Sequence, residues 1–218
     1  MQNWLARSAA KTAEIESARR SSSSNLTLTW ARRFAPLVLL LVAGLFFAGV
    51  YFGNQYWPHR FDSIIERQAQ IYRLDPLLVW SIIHEETYFQ SSRLGDAGEV
   101  GLMQITPAVA REWARETGIE DLEKEIAENH VEALRDPERN IQIGCWYLEK
   151  LFERYRDLPE PEARVLAAYN AGPSRVAEWN QPNPQSSEDD FVRRIDITST
   201  RAYVIEILHR YRYLRDKQ

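Results

Sequence analysis

Apolar positions recur along most of this chain at three- and four-residue intervals, the period of an amphipathic helix. Leu78, Val79, Ile82 and Ile83 form one such stripe. Asp75 supplies an N-cap acceptor before it, and Pro76 takes the first helical position, where its missing N–H costs nothing. The same cap-plus-proline start recurs at Thr106-Pro107 and Asp136-Pro137, and Gly118 follows the second of these helices as a C′ residue. The pattern predicts helices over about 62–73, 76–88, 107–117, 121–130, 137–157, 161–171, 173–180 and 200–216. Alternating strand patterns are lacking, with room only for a short hairpin near 92–105. The fold class is mainly α. Residues 181–190, with two prolines, two serines and three acids, read as a mobile rim loop or a plain exposed connection.

The pattern breaks in two places. From Phe34 to Gly53 no residue is charged and nearly all are apolar. Twenty residues at 1.5 Å rise span a bilayer core of roughly 30 Å. That run is longer than the h-region of a signal peptide, and no clear small-residue cleavage pattern follows it. It is read as a retained transmembrane helix, with Tyr51, Tyr56 and Trp57 marking its outer interface. The second break is Glu86. It follows Ile82 by four and Ile83 by three, so a carboxyl group lies where the stripe calls for an apolar residue. Burial disfavours the charged form and raises such a pKa, as a general acid near neutral pH requires.

Charge then orients the chain. Residues 1–33 carry six basic side chains (Arg7, Lys11, Arg19, Arg20, Arg32, Arg33) against Glu14 and Glu16, a balance of +4. The whole chain is −4, which leaves −8 beyond this tail. The positive-inside rule puts the Ser-rich tail 1–33 in the cytoplasm and the domain that follows outside the cytoplasmic membrane. Cys145 is the only cysteine, so an intrachain disulfide is excluded; inside a predicted helix it reads as a small buried apolar residue. His59, His84, His130 and His209 lack metal-site spacing, and the helix phase points His84 away from Glu86, toward the surface. No phosphate loop or basic nucleic-acid stripe is present. Seven Trp, ten Tyr and eight Phe supply bulk for a core.

After Glu86-Thr87 come Gly98-Glu99-Val100-Gly101-Leu102-Met103-Gln104, Asp136-Pro137-Glu138-Arg139-Asn140 with Gly144, Ala167-Ala168-Tyr169-Asn170-Ala171-Gly172 and Thr200-Arg201-Ala202-Tyr203-Val204. These blocks, in this order over about residues 60–215, resemble the catalytic domain of lytic transglycosylases of the soluble-lytic-transglycosylase type. The resemblance implies a lysozyme-like fold and cleavage of peptidoglycan strands between N-acetylmuramic acid and N-acetylglucosamine. It implies 1,6-anhydro ends, with no cofactor, no metal and no nucleic-acid partner. Carried over, Glu86 is the single catalytic acid and base. Gln104, Met103, Gly101, Tyr169 and Asn170 form the substrate side of the site, and the Tyr169 hydroxyl orients the Glu86 carboxyl. Three positions depart from the commoner pattern: Gly95 for Ser, Glu99 for Ala, and Ser199 for Glu.

The expected architecture is a cytoplasmic tail (1–33), a transmembrane anchor (34–53) and a catalytic domain (60–215). It would sit in the bacterial inner membrane with its domain in the periplasm, its partners being peptidoglycan and the membrane. Two other readings remain open. A goose-type lysozyme-like hydrolase would need Asp96 or Glu99 as a second carboxylate. A non-catalytic peptidoglycan-binding scaffold would need no acid at all.

Overall fold

The structure is a computed structural model that describes residues 34–53 and 56–218. The predicted tail 1–33 lies outside the described residues. The chain divides into two compact units, Met1–Tyr56 and Trp57–Gln218. In the first, residues 34–53 form helix α1, exposed along its length. It lies in a helical stretch whose apolar window has a mean hydropathy of 2.3, long and apolar enough to cross a membrane.

The second unit is helical: α2 (Asp62–Ile71), α3 (Pro76–Thr87), α4 (Pro107–Thr117), α5 (Glu120–Leu134), α6 (Pro137–Tyr155), α7 (Pro161–Ala171), α8 (Pro173–Asn180), α9 (Glu188–Arg194) and α10 (Thr198–Arg215). The three cap-plus-proline starts form as their sequences dictate. Asp75 accepts from the Leu77 N–H, Thr106 from Val109 and Asp136 from Arg139, and Gly118 closes α4 at φ +73°. Capping by such a side chain is worth about 1 kcal/mol. Asp75 does more, because its other oxygen accepts from the Tyr211 hydroxyl at 2.8 Å and so ties the start of α3 to α10.

Helix α3 runs through the core. Leu78, Val79, Ile82 and Ile83 are buried, and α3 packs against α2 and α10 while α7 joins α6, α8 and α10. On α10 the buried side is Thr200, Tyr203, Val204, Ile207, Leu208 and Tyr211, a helical stripe that lies over α3 and α7. Helix α5 extends past the predicted end at 130, with a kink at Asn129 (φ −155°, ψ 85°).

Two local expectations are corrected. The segment 92–105 is not a hairpin: it forms only isolated antiparallel bridges, Leu94 to Val100 and Val100 to Ile105. Its backbone turns too tightly for strands to extend, with Gly98, Gly101 and Gln104 all at positive φ. The 181–190 stretch is pinned rather than merely exposed, and it runs into a short helix. Ser187 caps α9 by accepting from the Asp190 N–H. The fully buried Arg164 of α7 donates to the carbonyls of Pro159, Pro184 and Ser186 at 2.7–3.1 Å and stacks on Phe191. Arg194 donates to the Trp179 and Asn183 carbonyls from the other side.

Candidate active site

Glu86 lies in the last turn of α3, half-buried at the end of the apolar stripe. The Tyr203 hydroxyl, from the buried face of α10, donates to Glu86 Oε1 at 2.7 Å. Burial pushes the Glu86 pKa up to about 7. The Tyr203 bond favours the ionised form and works against the rise, while the negative charges of Glu85 and Glu99 add to it. Glu85 is the neighbour that remains paired, accepting from Arg210 at 3.0 Å. The result is a carboxyl group able to hold a proton near neutral pH and release it, the property a general acid needs.

The loop before α4 forms the adjoining wall, and Asn140 of α6 fixes it from below. This side chain is fully buried. Its Oδ1 accepts from the Met103 N–H at 2.8 Å, and its Nδ2 donates to the carbonyls of Val100 (2.8 Å) and Leu134 (3.0 Å). Gly101 is required twice over. Its φ is +79°, and a Cβ there would collide with the Asn140 amide, lying 2.8 Å from Cγ. Met103 is fully buried. Its thioether fills the space that a Cβ at Gly144 would occupy, with Cε 2.7 Å from that point. Gly144 therefore makes room for a loop side chain rather than for another helix. Gln104 stands at φ +47°, a conformation unusual for a residue with a side chain. Its amide donates back to the Gly101 carbonyl at 2.9 Å.

The Tyr169 expectation is corrected here. Its hydroxyl donates to the Met103 carbonyl at 2.7 Å, and the hydroxyl that meets Glu86 is that of Tyr203. Two tyrosines thus divide the work, one holding the floor and one holding the acid. Burial pushes both phenol pKa values well up, so each stays a neutral donor. Asn170, beside Tyr169 at the exposed end of α7, accepts from the Thr200 hydroxyl at 2.7 Å and so joins α7 to the start of α10.

Two of the three departures from the commoner pattern meet in space. A Cβ on Gly95 would run into the Glu99 carboxylate and lie 2.9 Å from Gln104 Oε1. Glu99 in turn accepts from the Ala97 N–H at 3.0 Å. Asp96 is exposed. His84, expected at the surface, is half-buried against the Trp80 and Tyr88 rings, with centroids 5.4 and 4.9 Å away. Burial followed by the Arg210 charge lowers its pKa. Cys145 is buried, and its thiol is pushed up to about 12. Among the described residues no group of three His, Cys, Asp or Glu is placed to hold a metal ion.

Sequence reading missed Asn140 and Tyr203 as site residues. Each left a signal. Asn140 is a polar residue on the apolar side of a helix, between Asp136 and Gly144. Tyr203 lies on the Thr200–Val204–Ile207 stripe, where a buried hydroxyl must find a partner.

The family profile described as "Transglycosylase SLT domain" matches residues 63–192. The chain is 32% identical over 125 residues to the membrane-bound lytic murein transglycosylase F of Desulfosudis oleivorans, covering 56% of this chain and 24% of that protein. It is 27% identical over 162 residues to the soluble lytic murein transglycosylase of Escherichia coli K12, covering 73% and 23%. Among solved structures it is similar to an inactive mutant of the lytic transglycosylase Slt from Pseudomonas aeruginosa, with a TM-score of 0.62 at 27% identity over 71% of this chain and 24% of that one. The 70 kDa soluble lytic transglycosylase of Escherichia coli superposes with a TM-score of 0.59 at 26% identity, over 73% and 25%. The chain therefore spans about a quarter of the length of these relatives.

Proposed function

The chain belongs to the transglycosylase SLT domain family, and from that premise we propose that it is a membrane-anchored lytic transglycosylase of peptidoglycan with Glu86 as its single acid and base. The observation that carries this reading is the half-buried Glu86 carboxyl, raised to about 7 and accepting a hydrogen bond from Tyr203. Protonated Glu86 donates to the glycosidic oxygen between N-acetylmuramic acid and N-acetylglucosamine, and the bond from that oxygen to C1 of the muramic sugar breaks. Positive charge develops at C1. Glu86, now a carboxylate, takes the proton of the same sugar's 6-hydroxyl as O6 bonds to C1. The Glu86 proton is restored, no water is consumed, and a 1,6-anhydro end is left. Gln104 and Asn170, with the loop that Asn140 and Tyr169 hold through the buried Met103, shape the surface on which the sugar lies.

Purified full-length protein incubated with sacculi should release anhydro-muropeptides, detected by mass. Glu86→Gln should keep the fold and lose nearly all release. Near-normal release by that variant would remove the basis of the reading. A hydrolase would instead need a second carboxylate to activate water, and the loop after Glu86 offers the exposed Asp96 and the half-buried Glu99. Reducing ends in place of anhydro ends would select that reading.

The anchor is supported by the helical stretch at α1, the basic tail before it and the membrane-bound relative. The protein should stay in the membrane fraction through alkaline and high-salt washing, because burial of such a run is effectively irreversible. Protease added outside the cytoplasmic membrane should digest the domain and spare the first 33 residues. A mature chain free in the periplasm would show α1 to be a cleaved signal.

A further inference from the structure

Two residues after Glu86 the chain leaves α3 in a conformation that side chains disfavour. Tyr88 stands at φ +48° and Phe89 at φ +61°, two left-handed residues in a row and neither a glycine. Such a pair persists only where its surroundings hold it. Part of the hold is local. The Tyr88 N–H donates to the His84 carbonyl at 3.0 Å, and Phe89 is fully buried against the Trp80 ring, with centroids 5.0 Å apart. The rest comes from the segment just before α2. The Trp57 indole N–H donates to the Tyr88 carbonyl at 2.8 Å, and Arg60 Nη2 donates to the Phe89 carbonyl at 2.5 Å. The two donors are stacked on each other, with the Arg60 guanidinium 3.6 Å from the centre of the Trp57 ring and 4.6 Å from that of Phe61. Carbonyls at a helix end lack intrahelical donors, and a cation there also suits the negative end of the helix dipole.

We propose that Trp57 and Arg60 are positioning residues for Glu86: by holding the Tyr88 and Phe89 carbonyls they fix the last turn of α3, and with it the place of the carboxyl against Tyr203. The inference rests on Glu86 being the acid. Trp57 stands four residues after Gly53, where an aromatic side chain would ordinarily serve as an interfacial anchor. Its N–H is engaged instead by the turn that follows the acid. Among the described residues the Glu86 carboxyl is bonded to Tyr203 only, so its position depends on the backbone that carries it. Thr87 makes a third tie, donating to the Leu102 carbonyl at 3.0 Å. The loop that bears Met103 and Gln104 is fastened separately by Asn140, so loosening the turn displaces the acid and leaves that wall in place.

The test is the pH dependence of cleavage of soluble peptidoglycan strands by the full chain in detergent, with kcat and KM separated. A general acid loses activity as pH rises through its pKa, and the position of that alkaline limb does not depend on how much of the protein is folded. The charged and titratable groups around Glu86 are Tyr203 from α10, Tyr169 from α7, Glu85 on its own helix with Arg210 against it, and Glu99 from the loop; substitutions at 57 and 60 leave all of them unchanged. Trp57→Phe keeps a ring and removes the N–H. It should lower kcat about fivefold, the worth of one hydrogen bond, with KM in place, and move the limb to lower pH as water reaches the carboxyl. Arg60→Gln should do both more strongly, and Arg60→Lys should recover part of the loss. Removing the Arg60 charge by itself would favour the protonated acid and move the limb upward, so the downward direction marks loosening. Tyr56→Ala, which removes an exposed ring beside Trp57, should behave as the parent. A limb that holds its place or moves upward in either variant would overturn the proposal. So would an equal loss in Tyr56→Ala and Trp57→Phe, which would make Trp57 an interfacial anchor. If Arg60→Gln does not fold, Trp57→Phe and Arg60→Lys decide by the same criteria. Failure of the parent reading looks different, because Glu86→Gln would then still cleave.

Discussion

Asn140 and Arg164 are both fully buried polar side chains, each beneath one loop, yet they hold their loops by different physics. Asn140 is neutral and short, and it meets two carbonyls and one N–H of the polypeptide around the cleft wall. Arg164 is a cation. It spreads its charge over the carbonyls of Pro159, Pro184 and Ser186, the Asn180 amide oxygen and the face of Phe191, with no carboxylate bonded to it among the described residues. Burial lowers its pKa, as does the Arg194 charge nearby. A guanidinium under the 181–187 loop makes more bonds than an amide can. The same cation under the cleft wall would pull the Glu86 proton off, since a nearby positive charge favours the carboxylate. A neutral anchor near Glu86 and a charged one away from it is an arrangement that keeps both loops fixed and the Glu86 pKa raised.

The contrast can be broken from the Arg164 side first. Arg164→Ala leaves several buried carbonyls without donors and a gap against Phe191. It should cost about 3–5 kcal/mol of stability in urea denaturation, the range for dismantling a buried charged network. Cleavage per folded molecule should fall much less than stability does. Asn140→Ala should show the opposite balance. Its loss of stability should be smaller, about 2–3 kcal/mol for the groups it strands, while cleavage falls more than tenfold because Met103 and Gln104 lose their register. Equal ratios of activity loss to stability loss in the two variants would erase the distinction.

How much of this was visible in the chain depends on the distance over which each feature is decided. The helix starts at 76, 107 and 137 were legible because cap and proline stand side by side. Glu86 was legible because a single helix's phase exposes a charge on an apolar stripe. Helix α9 was missed because Pro182, Pro184 and the serines read as loop. Yet Ser187, three acids in the first turn and two arginines in the last are the terminal charges a helix favours. The tyrosine that grips Glu86 could not be chosen from sequence pattern. Tyr169 and Tyr203 both lie on helices facing the core, and the bond to Glu86 joins positions 117 apart.

The smallest expected effects separate these two tyrosines. Tyr203→Phe and Tyr169→Phe should each change stability by about 1 kcal/mol or less, the net worth of one hydrogen bond. Only Tyr203→Phe should move the alkaline limb of the pH profile, and upward, because the lost bond had favoured the carboxylate. Tyr169→Phe should lower turnover through the floor with the limb in place, and a matching upward move in that variant would collapse the division between them.

Gly144 gives the cleft a depth gauge. Met103 is fastened at its N–H by Asn140 and at its carbonyl by Tyr169, so its backbone cannot sink or slide. Only its thioether is free to adjust, and it rests in the hollow left by one missing methyl group on α6. Filling that hollow with an alanine would leave the sulfur no downward path. The loop that carries Met103 would be pushed outward by about the height of a methyl group, moving Gln104 relative to the Glu86 carboxyl.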